Sequence, residues 1–434
     1  MERTYVKGLK AGKSVLLKGW VYEIRDLAKL KFLLLRDFTG IVQCVVRDEK
    51  IIKNISELTL ESVIEIKGKV KKAEIKSEFV RRDVEVEISD IKIINKAEKL
   101  PIHVNEKTTA TDLSKRLDYR SLDLRKLRVQ AIFKIQAALI EGMQNYLNKE
   151  GFTQVFTPSL MGFASESGSE VFEVKYFNKK AFLRQDPQLH RQLTILGGIE
   201  KLYDIGPSWR AEKSHTIKHI CEHRTCAVEL AFIKDERDTM KVEEELVVSA
   251  IKNVINKCKD ELNLLGINLK VPKIPFPELK FPEIYDILKK KGKDIYGEDL
   301  DAESEKILWG YIKNKYNSDF YFFNGFPHKI KPFYVMEGSL GNEQWAKSVD
   351  LNFKGMELSS GGQREHRYDK IIKNVKERGM SFESVEWFTK FFKYGAPPHG
   401  GFAIGIERLT QVLLNLQNVR EAVLFPRDTE RTTP

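Results

Sequence analysis

The sequence predicts an α+β protein in two unequal parts, a small all-β part followed by a larger part that mixes helices with loop-bearing strands. Three observations carry this. Residues 1–103 fall into short apolar-alternating runs separated by turn signals, the period of strands. Residues 128–150 switch to helical spacing, and later apolar runs alternate between the two periods. With 434 residues the chain is too long for one ordinary core, so two or three domains are expected.

Composition narrows the classes. Apolar content of 42% and charged content of 31% fit a soluble globular protein. The net charge of +11 favours a polyanionic partner such as nucleic acid, although a general bias toward lysine gives the same excess. No apolar run approaches the ~20 residues of a membrane helix. The start, Met1-Glu2-Arg3-Thr4, does not lead into a signal-peptide core. Four cysteines suit a reducing cytoplasm better than a disulfide framework.

Strands are expected at 14–21, 31–36, 41–46, 63–70 and 82–88, with Asp37-Phe38-Thr39-Gly40 as a turn. Such a set over residues 1–103 fits a Greek-key barrel of OB type, a fold that binds single-stranded nucleic acid with aromatic and basic groups. Arg25, Phe32 and Gln43 are candidates for base stacking and base-edge contact. Core packing is the competing reading of Phe32.

Residues 104–127 are polar, lack a long apolar period and read as a hinge between the barrel and a catalytic domain over 128–434. Residues 128–150 form an amphipathic helix through Ile132, Ile135, Ala138, Leu139 and Met143, ended by Gly151. The run 151–160 reads as a strand whose Pro158 belongs at an edge or interface. Further strands are expected at 171–176 and 180–183.

The stretch 206–232 organises the rest. A strand over 201–205 breaks at Gly206-Pro207, crosses a charged loop and returns as a strand over 224–232. Arg210, Lys213, Lys218, His219 and Arg224 supply cations that suit a polyphosphate, with Arg fitted to bidentate contact. Residues at about 235–334 alternate helix with Pro- and Lys-rich loops and read as an insertion.

A hairpin over 349–359 turns at Lys354-Gly355. In that register Asn352 faces Glu357 and Asp350 faces Ser359, which brings Asp350 and Glu357 close enough to share a divalent ion. Ordinary solvated acids are the alternative. Ser360-Gly361-Gly362-Gln363-Arg364 then presents one arginine. Residues 397–409 form a Gly-rich strand feeding a helix, with Arg408 in its first turn, a phosphate-binding arrangement. The spacing matches neither a Walker loop nor a dinucleotide fingerprint.

Thr157-Pro158, Arg210-Ala211-Glu212 and Gly405-Ile406-Glu407-Arg408-Leu409 resemble, in order, motifs 1, 2 and 3 of class II aminoacyl-tRNA synthetases. The barrel ahead of them is similar to the aspartyl/asparaginyl/lysyl subgroup. Gln185-Asp186-Pro187-Gln188-Leu189, the run 360–367 and Phe425-Pro426-Arg427-Asp428 resemble the archaeal-type aspartyl enzymes. The resemblance covers essentially the whole chain. It implies an antiparallel catalytic sheet flanked by helices, and an ATP-dependent activation of aspartate followed by transfer to the tRNA 3′ end.

It also implies roles. Arg210 would hold the α-phosphate and Arg408 the γ-phosphate, as the two catalytic cations. Glu212, Lys218, His219, His223 and Glu357 would complete the ATP site. Asp350 and Glu357 would bind Mg²⁺. Arg364 would pair with the aspartate side chain, Gln188 and Glu166 would read its amino group, and Arg191, Ser360 and His399 would complete the pocket. Tyr22, Arg25, Phe32 and Gln43 would face the anticodon of aspartate tRNA, and of asparagine tRNA if the enzyme is non-discriminating. Pro158 would lie at a homodimer interface.

Three positions depart from the family pattern. Arg191 stands where lysine is usual, His223 where an adenine-stacking Phe is usual, and Ala227 where an Asp receives the substrate ammonium. Losing one carboxylate from a buried ammonium site costs roughly 2–5 kcal/mol. The departures keep three alternatives open: an asparaginyl enzyme, a paralogue activating another acid, and a non-catalytic tRNA-binding protein. His219, Cys221, His223 and Cys226 are zinc-binding types, yet one continuous strand cannot aim all four at one point.

Overall fold

The computed structural model describes residues 1–27, 30–77, 79–105, 111–163, 171–213, 216–340 and 343–434. The chain divides into two compact units, Met1–Leu127 and Arg128–Pro434.

In the first unit, β1 (Ser14–Leu27), β2 (Leu30–Asp37), β3 (Gly40–Val46), β4 (Val63–Lys72) and β5 (Val80–Asn95) close into a barrel in the order β1-β2-β3-β5-β4. Alternation fills it: Leu33 and Leu35 point inward with Leu17, Val42, Ile64 and Ile66. The short helix α1 (Glu49–Asn54) is capped by the Asp48 carboxylate, which accepts from the Lys50 and Ile51 amides. Glu61 is fully buried and binds Arg36 at 2.6 Å and Arg125 at 3.0 Å.

The described part of the stretch expected as a polar hinge is ordered. It holds two short helices, Leu113–Asp118 and Arg120–Asp123. They close on the buried Asp123 carboxylate, which takes Arg116 at 3.0 Å, Arg120 at 2.8 Å and Lys126 at 3.0 Å. Its core is ionic, so an apolar-period search does not register it.

The second unit begins at Arg128, one residue into α2 (Leu127–Lys149), and continues with β6 (Thr153–Gln154). Helix α3 (Gln188–Leu196) precedes the long hairpin β7 (Lys201–Trp209) and β8 (Glu222–Ala231). Then come α4 (Glu236–Lys257), β9 (Glu278–Lys280), α5 (Ala302–Tyr316) and β10 (Phe320–Asn324). The hairpin β11 (Ser348–Phe353) and β12 (Met356–Arg364), strand β13 (His399–Gly405) and helix α6 (Ile406–Leu413) complete it. One sheet runs β9-β10-β11-β12-β13-β8-β7-β6, antiparallel except where β9 meets β10 and β6 meets β7. The stretch expected as an insertion therefore supplies α4 and two strands of the sheet itself.

Helices α2 and α4 cover one face. Leu139 and Met143 of α2 and Leu246 and Ile251 of α4 meet Val228 and Phe402 of the sheet. At Gly142 the helices come so close that a Cβ would lie 2.7 Å from the Ala250 Cα, which glycine alone tolerates. On the opposite face, Leu308 and Ile312 of α5 pack against Tyr321 and Phe323 of β10, and the rest of that face holds the candidate site residues.

Strand β7 does not break at Gly206-Pro207. Pro207 stays in register opposite Arg224. Strand β6 pairs only Leu202 and Tyr203, so beyond them β7 is an edge where no ladder N–H is required of proline. The Arg184 guanidinium lies along that edge and donates to the Pro207 carbonyl at 2.5 Å.

Glu243 of α4 is buried beneath the sheet, where the Ser359 hydroxyl donates to it. Burial, opposed by that hydrogen bond, pushes its carboxyl up to about 8. The folded protein thus holds a proton that the unfolded chain releases from its ordinary 4.5 upward, and stability falls as pH rises through that window. Glu243→Gln keeps an acceptor for Ser359 without the titration. The variant is expected to match the parent at about pH 5 and to exceed it at about pH 9 by on the order of a few kcal/mol. Thermal melts across that range test this; a pH-independent difference would show that Glu243 is ionised when folded.

Candidate active site

A cavity of about 440 Å³ opens on this second face of the sheet. Strand β8 shows why. Cys226, Val228 and Leu230 belong to the helix-side core, so His223, Thr225, Ala227 and Glu229 face the cavity side.

At one end are the phosphate-type cations. Arg210 is half-exposed and lies 3.6 Å from Glu212, which also lies 3.7 Å from the His219 ring. Arg408, at the start of α6, donates to the Glu357 carbonyl at 3.2 Å. Lys218 reaches Glu305 of α5 at 3.7 Å. Burial, with Glu357 adding and Lys218 opposing, pushes the Glu305 carboxyl up to about 7. His223 lines the same cavity. Burial, then Arg210 and Arg408, push its imidazole down to about 3, so it is neutral at ordinary pH. Arg224 points elsewhere: its amide donates to Glu407 at 2.9 Å and its side chain lies 3.3 Å from Glu222.

The acids expected to share a cation are partly brought together. The hairpin turns at Lys354-Gly355, both left-handed, and Asn352 faces Glu357 as expected. Asp350, however, faces Ser360 and not Ser359, because an irregularity between Leu351 and Asn352 leaves Leu358 unpaired. Glu357 and Ser360 line the cavity. Asp350 is buried behind them and takes Lys331 at 3.1 Å through Oδ2, while its buried Oδ1 has no hydrogen-bond partner among the described residues. Burial, opposed by Lys331 and reinforced by Glu357, pushes the Asp350 carboxyl up to about 6.

The other end is an ionic lattice. Glu229 is fully buried; its Oε1 takes Arg364 Nε at 3.0 Å and its Oε2 takes Gln188 Nε2 at 2.9 Å. Gln188 Oε1 accepts from Arg191 at 2.8 Å and from Arg364 at 3.2 Å. Arg191 Nη2 also meets both Asp186 oxygens, at 2.8 and 2.7 Å. Burial raises the Asp186 carboxyl, but Arg191, Arg364 and Arg210 outweigh it and hold it below its ordinary value. Gln188, Arg364 and Asp186 line the cavity, whereas Arg191 lies beneath them, 1% exposed.

Several expectations need correction. His399 is not on the cavity wall. It is fully buried between the Gln192 amide oxygen at 3.1 Å and the Pro397 carbonyl at 2.8 Å. Tyr22 is buried in a small outer cluster of the barrel with Leu34, Ile41 and Val80, and its hydroxyl donates to Asn105 at 3.1 Å. Its ring is not available to stack on a base. Arg25 and Phe32 do face each other across β1 and β2, with Arg25 bound to Glu23 at 2.7 Å. Gln43 is engaged with Glu85 at 3.0 Å. Glu166 lies outside the described residues. Cys226 belongs to the core, on the opposite face from His223, and among the described residues no group of three His, Cys, Asp or Glu is gathered to hold a metal.

Glu229, Lys331 and Glu305 carry no role in the sequence reading. Alternation along β8 does put Glu229 on the cavity side. Lys331 and Glu305 reach the site only through tertiary packing of distant segments.

A barrel unit and an antiparallel sheet with one face sealed by helices and the other lined with paired arginines define a class II aminoacyl-tRNA synthetase. Residues 112–429 match the family of class II tRNA synthetases for D, K and N, and residues 15–94 match the OB-fold nucleic acid binding domain. The chain belongs to that synthetase family, and it is an aminoacyl-tRNA ligase. It is 40% identical to the aspartate--tRNA(Asp) ligase of Thermococcus kodakarensis, over 98% of this chain and 97% of that protein. It is 39% identical over the full length of both chains to the aspartate--tRNA(Asp/Asn) ligase of Thermus thermophilus. The solved asparaginyl-tRNA synthetase of Pyrococcus horikoshii with asparaginyl-adenylate superposes with a TM-score of 0.92 at 34% identity, covering all of both chains.

Proposed function

We propose that the protein is an aspartate--tRNA ligase, and that the arrangement of Arg364 carries the assignment. Arg364 is 5% exposed, and its guanidinium is fixed by Glu229 and Gln188 on the cavity wall. A rigid guanidinium there suits a substrate side chain that ends in carboxylate.

The cavity is read from both ends. Arg364 grips the β-carboxylate of aspartate. Arg210 holds the α-phosphate of ATP beside the α-carboxylate, and Arg408 holds the γ-phosphate. Neutral His223 offers its ring to the adenine without adding charge. The α-carboxylate oxygen attacks the α-phosphorus and pyrophosphate leaves; a tRNA 3′-terminal hydroxyl then attacks the acyl carbon and AMP leaves. No side-chain nucleophile is required, so positioning and charge stabilisation supply the first step.

The orphaned Oδ1 of Asp350, with Glu357 and Ser360 beside it, is an oxygen-donor set that suits Mg²⁺. When bound, Mg²⁺ neutralises charge on the phosphate oxygens. Chelation is expected to abolish pyrophosphate exchange and added Mg²⁺ to restore it; exchange that survives exhaustive chelation would remove the metal from the reading.

The barrel would read the tRNA anticodon through Arg25, Phe32 and Gln43. Pro158, beside Phe156 at 84% exposure, would lie in a homodimer interface. Its substrates place the enzyme in the cytoplasm. Among the described residues no helix is long and apolar enough to cross a membrane.

The decisive experiment is aminoacylation of purified aspartate and asparagine tRNAs, each with aspartate and with asparagine. Aspartate is expected to be charged onto aspartate tRNA. Its transfer to both tRNAs would define a non-discriminating enzyme, and charging of asparagine alone would overturn the proposal. The asparagine reading has one observation in its favour, the likeness to the Pyrococcus horikoshii structure.

A further inference from the structure

We propose that Asp186 receives the α-ammonium group of the amino-acid substrate, in place of the carboxylate that this family carries on its return strand. The inference rests on the reading of the cavity as an aspartate site.

The return strand offers no carboxylate where the family pattern has one. Ala227 is fully buried, between Asp204 of β7 and Ala403 of β13. Among the described residues, four acids line the cavity: Asp186, Glu212, Glu357 and Glu407. Three of them belong to the nucleotide end. Glu212 lies against Arg210 and His219, Glu357 against Arg408, and Glu407 against Arg224. Glu229 lies below the wall, with its two oxygens taken by Arg364 and Gln188. Among the described residues, which do not include Glu166, Asp186 is the remaining carboxylate, two residues from Gln188 and on the same wall.

Its position fits the chemistry of the ligand. The substrate α-carbon lies between a side chain held by Arg364 and a carboxylate held at Arg210. The ammonium on that carbon must project between those two arginines. Asp186 lines the same cavity as both arginines and is joined to Arg364 through Arg191 and Gln188. The group is also held ready. Arg191 meets both Asp186 oxygens through one nitrogen, which fixes the carboxylate on the wall.

The two departures in this pocket then become one change. The carboxylate on offer stands on the chain just ahead of α3, and not on β8. Arginine at 191, longer than the usual lysine, holds it there while also binding Gln188 at 2.8 Å.

The test is aspartate-dependent pyrophosphate exchange by the full-length protein and by Asp186→Asn, with succinate as a competing inhibitor. Succinate has both carboxylates of aspartate and no ammonium. Asp186→Asn is expected to raise the KM for aspartate about 30-fold or more, while the succinate inhibition constant and the KM for ATP move by less than about threefold. Asp186→Glu, which keeps the charge, is expected to recover much of the loss. Equal weakening of aspartate and succinate would show that Asp186 only supports Arg191 and Gln188, and would overturn the proposal. An unchanged aspartate KM would also overturn it. Failure of the unsubstituted protein to exchange with aspartate would instead overturn the functional reading, and this inference with it, before any variant is examined.

Discussion

Replacing Arg364 with alanine is expected to abolish aspartate-dependent pyrophosphate exchange, with kcat/KM falling by about a thousandfold or more, some 4 kcal/mol. Two losses combine. The substrate carboxylate loses its guanidinium partner, and Glu229, fully buried, loses the guanidinium it is paired with at 3.0 Å. Removing one member of a buried pair leaves the other charge uncompensated, which generally costs about 3–5 kcal/mol. Arg364→Lys is not expected to rescue, because one ammonium cannot serve Glu229, Gln188 and the substrate with the fork that arginine presents. Steady-state exchange kinetics, with circular dichroism to confirm folding, measure the effect. Full activity in Arg364→Ala would show that the carboxylate anchor is assigned to the wrong residue.

Gly401→Ala is expected to be the most damaging small substitution on the sheet. Gly401 lies opposite Glu229 on one side and Gly362 on the other. A Cβ there would fall well inside contact distance of the Val228 carbonyl and the Glu229 carboxylate. The first is backbone and cannot yield without spreading β8 from β13. The second is locked by Arg364 and Gln188. The expected cost is about 3 kcal/mol or more in stability, together with loss of exchange activity because Glu229 no longer fixes Arg364. Thermal unfolding and exchange assays check both. A variant with the parent's melting temperature and activity would show that the strands have slack at this point.

The alternating barrel, the long amphipathic helix and the cations that line the cavity were legible in the sequence because each is a local pattern. Leu33 and Leu35 alternate with outward residues, and Ile135, Leu139 and Met143 repeat at helical spacing. The four odd-numbered residues from His223 to Glu229 share a face by alternation alone. What was not legible depends on contacts between distant segments. The ordered turns around Asp123 have an ionic core without apolar period. The unbroken course of β7 through Pro207 depends on how short β6 is. The shift of Asp350 from Ser359 to Ser360 depends on one unpaired residue in the hairpin. Tyr22 reads as a surface aromatic until the outer cluster that buries it is known.

The sheet's two faces have a consequence for how such a site changes. On β8, Cys226, Val228 and Leu230 carry the packing, and the residues between them carry the chemistry. A replacement at 223, 225 or 227 leaves the apolar side of the strand untouched. Substrate preference on this scaffold can therefore drift with little cost to folding, so long as the glycine track beside Glu229 is kept. Ala227 is such a position: it lies on the cavity side of β8, and the helices behind the sheet have nothing to accommodate there.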